Sequence, residues 1–109
     1  KYIGVWAEYT FSDDVPETEL IINNIDGNKV DYEIMFYRLA GYYNQTAYID
    51  DNGVINFKTV ENEESSQPIQ GTITLSGDSV NLNITSSEQR YITPKSIEFY
   101  KKNTQSRLK

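Results

Sequence analysis

The chain has 109 residues, the size of one domain, with 38% hydrophobic and 13% aromatic residues and a formal charge of −6. It contains neither cysteine nor histidine, which excludes disulfides, thiol nucleophiles, Cys/His zinc sites and an imidazole base. No apolar run approaches the roughly 20 residues of a membrane-spanning helix. Residues 1–94, with five basic and fifteen acidic side chains, are too acidic for a nucleic-acid surface.

Period-two alternation recurs along the chain and helical periodicity does not. It predicts eight strands: 2–11, 19–25, 29–39, 45–50, 54–59, 69–75, 79–85 and 96–102. The chain starts in a strand with no initiator Met and no leader, so a fragment or mature form of something longer is expected. That first strand, "YIGVWAEYTF", offers two registers. Ile3, Val5, Ala7, Tyr9 and Phe11 make the more apolar one; Gly4, Trp6, Glu8 and Thr10 make the other. If Trp6 points inward, Glu8 tends to follow unless a bulge intervenes, and a buried carboxylate needs a cation or donors.

The third strand alternates Val30, Tyr32, Ile34 and Phe36 against Asp31 and Glu33. Continued one step, the inward register brings in Arg38, a candidate partner for Glu8. Its outward register, Met35, Tyr37 and Leu39, adds a second apolar stripe that calls for a covering loop, a neighbouring domain or an oligomer contact. The seventh strand alternates Val80, Leu82 and Ile84 against Asn81, Asn83 and Thr85. One buried and one wet face per strand is the antiparallel pattern.

"DGN" (26–28), "DDNG" (50–53) and "SGD" (76–78) are tight-turn signals. The other connections are longer: 12–18, 40–45, 60–68 and 86–95. Tight and long connections alternate, which in a meander gathers every long loop at one end. Eight such strands are best satisfied by an all-β, up-and-down antiparallel barrel over residues 1–102, with a basic tail at 103–109. A strongly curved open sheet or a sandwich is the alternative.

The long-loop end gathers tyrosines: Tyr37, Tyr42, Tyr43 and Tyr48 flank the 40–45 loop, and Tyr91 sits in another. Stiff and amphipathic, tyrosine suits contact with a protein or a polymer at low entropic cost. Glu61, Glu63 and Glu64 add an acidic rim. "Asp50-Asp51-Asn52-Gly53" echoes part of a calcium loop without its ligand spacing or distal Glu, so no metal and no cofactor are expected. Sequence-adjacent carboxylates project oppositely on a strand, unlike the facing pair of a glycosidase, so no enzymatic role is expected.

"Gly4-Val5-Trp6" on the first strand of an eight-strand meander resembles the calycins: lipocalins, fatty-acid-binding proteins and avidins. The resemblance implies that Trp6 plugs the closed end, with a basic side chain (Lys101, Lys102 or Arg107) across its ring. The stretch "GTITLSGDSVNLNITSS" also resembles small β domains of secreted or lipid-anchored proteins of Gram-positive bacteria. The expected function is therefore a non-catalytic, extracytoplasmic binding module meeting a protein or envelope polymer at its Tyr-rich end. One alternative is a carrier of a small apolar ligand in an interior formed by Trp6, Glu8, Tyr32, Phe36, Arg38 and Phe99. Another is an inhibitor of an envelope enzyme that inserts its acidic loop.

Overall fold

The computed structural model describes residues 2–8, 18–60 and 65–102. It holds β1 (Gly4–Glu8), β2 (Thr18–Asp26), β3 (Lys29–Phe36), β4 (Ala40–Ile49), β5 (Val54–Lys58), β6 (Ile69–Ser76), β7 (Ser79–Ser87) and β8 (Lys95–Lys101). Each strand pairs antiparallel with the next and β8 returns to β1, so the sheet closes into an up-and-down barrel. The closing seam is short. Trp6 and Lys101, and Ala7 and Tyr100, are Cα partners, and the Lys102 N–H donates to the Val5 carbonyl at 2.8 Å. Closure leaves no free edge and excludes the open sheet and the sandwich. Among the described residues no helix is long and apolar enough to cross a membrane.

The alternating registers fill the inside. Val30, Tyr32, Ile34 and Phe36 of β3 are buried, as are Val80, Leu82 and Ile84 of β7, while Asn81, Asn83 and Thr85 are exposed. On β1 the Trp6 register faces the core: Trp6 is opposite Leu20, and both are buried in one cluster with Tyr32, Phe36 and Phe99. Each fully buried aliphatic or aromatic side chain contributes about 1.5–3 kcal/mol. The three predicted tight turns are present, and Gly27 and Gly77 hold the first turn position at φ 64° and 59°, as type II′ hairpins require.

The 40–45 segment differs from expectation. It is the first half of β4, and β3 joins it through Tyr37–Leu39 alone, closed by Leu39 N–H on the Phe36 carbonyl at 2.9 Å. Tight and long connections therefore do not strictly alternate. Two left-handed residues account for this, neither of them glycine: Arg38 at φ 64° in the turn and Asn44 at φ 57° in β4. At Asn44 the strand bulges, setting Tyr43 and Asn44 against the single residue Glu33. A second bulge leaves Asn23 of β2 as the extra residue between Ile22 and Asn24.

β4 and β5 share two pairs, Tyr48 with Asn56 and Ile49 with Ile55. The rest of the β4 edge is bonded by the chain after β5. Gly41 and Ser66 exchange bonds at 2.9 and 3.1 Å, and Tyr43 N–H donates to Ser65 Oγ at 2.9 Å. The buried Gln45 amide donates to the carbonyls of Tyr43 and Val60, and its Oε1 accepts from Val60 N–H at 2.8 Å. Polar side chains here do the work of a ladder.

Candidate functional site

At the tight-turn end the Trp6 indole is locked on three sides. Its Nε1 donates to the Tyr2 carbonyl at 2.8 Å, the Tyr2 ring stacks at 6.0 Å, and the Lys101 ammonium lies 5.3 Å from the ring centroid. Gly4 makes this possible. It sits at φ +136°, and a Cβ on it would lie 2.7 Å from Lys101 Cε. Lys102 points away, to Glu19 at 3.0 Å. That partly exposed pair is worth about 1 kcal/mol at most. Of the three expected cations, Lys101 occupies the ring face; Arg107 lies outside the described residues.

Inside, Tyr32 meets Phe57 edge-on at 6.0 Å and Phe36 meets Tyr42 edge-on at 6.2 Å. The Tyr32 hydroxyl is the one buried side-chain polar atom without a hydrogen-bond partner among the described residues, and burial pushes its pKa well above the usual phenol range. Glu8 shares the Trp6 register and is half-buried opposite Thr18, towards the other end. Arg38 is not an interior residue. Its left-handed turn swings it out of the β3 register into solvent, where its guanidinium lies 5.2 Å from the Tyr37 ring centroid. Glu8 and Arg38 therefore form no pair.

The tyrosines of the expected rim separate. Tyr42 is in the core, fully buried, and its hydroxyl donates to the Gln67 carbonyl at 2.7 Å; burial pushes its pKa up to about 12. Tyr43 lies half-buried on the wall, its ring over Gly41. Tyr48 is exposed but pairs with Lys29, near the tight-turn end. For Tyr42 and Tyr43 the reason is that residues 40–45 are strand, with the bulge sending Tyr42 and Gln45 both inward; Tyr48 stands at the far end of β4, just before the 50–53 turn.

Tyr37 and Tyr91 remain at the long-loop end, 50% and 62% exposed, with Leu39 at 49% and Val60 at 60%. Each tyrosine carries an arginine over its ring, Arg38 at 5.2 Å and Arg90 at 5.5 Å. Beneath them the mouth is covered by buried Ile92 and by Lys95, whose ammonium lies 5.8 Å from the Phe36 centroid. The inward register of β8 thus runs Lys95, Ile97, Phe99, Lys101, with a lysine on an aromatic ring at each end of the barrel. Sequence reading named Leu39 in the outward stripe of β3 and missed Val60, Arg90 and Lys95. The adjacent "YR" at 37–38 and "RY" at 90–91 were the available signal for the arginines.

Glu61, Glu63 and Glu64 lie outside the described residues. The Asp50 turn is a backbone device: its carboxylate accepts from Asn52 N–H at 2.8 Å and Val54 N–H at 3.1 Å. Among the described residues no group of three or more metal-ligating side chains occurs. No protein-family model, curated protein or solved structure matches the chain.

Proposed function

We propose that the chain is a non-catalytic binding module, lipocalin-like in outline, that contacts a protein or envelope polymer through its long-loop end. One observation carries this reading: Tyr37, Leu39, Val60 and Tyr91 are about half exposed or more at one end of an otherwise well-filled barrel. Aromatic and arginine side chains dominate the energetic centres of protein interfaces, and here two Tyr–Arg pairs stand ready. That composition favours a protein as the partner. A non-catalytic role fits the separation of Glu8 from Arg38 and the use of Asp50 in its own turn. An extracytoplasmic bacterial location is part of the proposal, supported by the Asn-, Ser-, Thr- and Tyr-rich composition. Truncation tests the reading. Tyr37→Ala with Tyr91→Ala should abolish retention of the partner on immobilised protein and leave the thermal midpoint unchanged; a double variant that binds normally reduces the rim to a solvated cap.

A second reading, a small amphipathic ligand held inside the barrel, is favoured by the unpartnered Tyr32 hydroxyl. Native mass spectrometry of the purified chain decides it. Added mass that disappears in Tyr32→Phe supports a carrier, and the bare chain mass in both opposes it.

A further inference from the structure

The two bulges flank the same stretch of β3. Asn23 on β2 and Asn44 on β4 sit either side of Asp31–Tyr32, and bulges recur where a strand re-aims side chains next to a site. Between them the outer wall has a cleft of about 330 Å³, lined by Asn23, Asp31, Tyr32, Asn44, Gln45 and Thr46. Tyr32 and Gln45 are Cα partners whose buried side chains belong to the interior, so they lie beneath the cleft. Asn23, Asn44 and Thr46 are exposed around it. Asp31 is half-buried, and its Oδ1 accepts from the Thr46 hydroxyl at 2.9 Å. Two residues beyond Thr46 on the same face stands Tyr48, 57% exposed.

The chemistry of this lining is selective. Among the described residues one carboxylate lines the cleft, too few for a divalent cation, and no lysine or arginine lines it to hold an anion. What it offers is a dense set of uncharged donors and acceptors, two primary amides and a hydroxyl, beside one carboxylate with acceptor capacity to spare. Strands spaced about 4.8 Å apart set β2 and β4 about 10 Å from each other, so a ring lying over β3 meets both asparagines. An exposed tyrosine at the side supplies a flat apolar face.

We propose that this cleft binds a neutral saccharide. Asn23, Asp31 and Asn44 bond its hydroxyls, and Tyr48 packs against the C–H face of a ring. The volume lies at the lower end for small-molecule sites and fits about one or two rings. The site is separate from the rim, so either can fail without the other.

The test is a titration of the 15N-labelled chain with maltotriose, cellotriose and chitotriose, followed by amide shifts. Expected are saturable shifts centred on Asn23, Asp31, Asn44, Thr46 and Tyr48 with at least one of these sugars. Asn23→Ala and Tyr48→Ala should each weaken that binding about tenfold or more, with the remaining spectrum unchanged as proof of folding. Asn44→Gly, which keeps the left-handed backbone and removes the amide, should do the same. Tyr37→Ala should bind as the parent does. Absence of saturable shifts with all three sugars, shifts centred elsewhere, or undiminished binding by Asn23→Ala and Tyr48→Ala would overturn the proposal.

Discussion

The Lys101 ammonium lies 5.3 Å from the centroid of the Trp6 ring, and the two residues are Cα partners across the seam that closes the barrel. One contact therefore ties the first strand to the last. Lys101→Met keeps most of the aliphatic packing and removes the charge, and should cost about 1 kcal/mol. The Trp6 fluorescence maximum should shift in the same variant. An unchanged midpoint and an unchanged spectrum would mean that the lysine merely lies nearby.

Gly4→Ala should cost more. Its φ of +136° is a conformation that residues with a Cβ avoid, at about 1–3 kcal/mol, and the new methyl displaces Lys101 from the ring. A fall in thermal midpoint of about 4–8 °C per kcal/mol is expected for a domain of this size. Calorimetry of the single variant checks it.

Gln45→Leu should be among the most damaging changes on the wall. The amide serves the Tyr43 and Val60 carbonyls and the Val60 N–H at once. Leucine removes these part-buried bonds, at about 0.5–1.5 kcal/mol apiece, and leaves the Tyr43 carbonyl with Ser65 Oγ at 3.3 Å. Hydrogen exchange should show the early loss of protection at Val60 and Tyr43, with β7 and β8 keeping theirs.

Tyr32→Phe should stabilise the chain. The hydroxyl has no partner among the described residues, so removing it recovers about 1 kcal/mol or more of desolvation cost. A midpoint that falls instead would show that the hydroxyl is bonded by something held within the barrel, as a carrier requires.

Stability should fall on the alkaline side. Tyr42 is pushed up to about 12 by burial, Tyr32 further by the same cause, and Tyr100 upward by its hydrogen bond to Glu98 and that carboxylate's charge. An unfolded tyrosine ionises near 10, so the unfolded chain releases protons first and gains stability first. The native state keeps its full margin below pH 10 and loses it as pH rises towards 12. Tyr42, raised by burial, carries part of this loss over that window. Urea midpoints against pH should fall there, and Tyr42→Phe should flatten the fall.

The barrel was legible because its strands alternate cleanly and its tight turns carry glycine. Val30 to Phe36 and Val80 to Ile84 announce their inner faces by residue type alone. The closed end was legible too, since Gly4, Trp6 and Lys101 obey the strand period. The mouth was harder. Arg38 and Asn44 adopt left-handed backbone without being glycine, so nothing in the residue pattern marked the turn or the bulge. With the bulge unseen, Tyr42 read as a loop residue when it is core; Tyr48 read as rim although it stands just before the 50–53 turn, near the other end. The side-chain bonding of Ser65, Ser66 and Gln45 along β4 leaves no periodic trace at all.

The most direct test of the account is site-specific photo-cross-linking in the cells that make the protein. A benzophenone side chain would replace Tyr37, Tyr91 or, as the control at the opposite end, Tyr100. The account predicts one discrete protein adduct shared by positions 37 and 91 and none at 100. Adducts at position 100 with none at 37 and 91, or no adduct at any of the three, would contradict it.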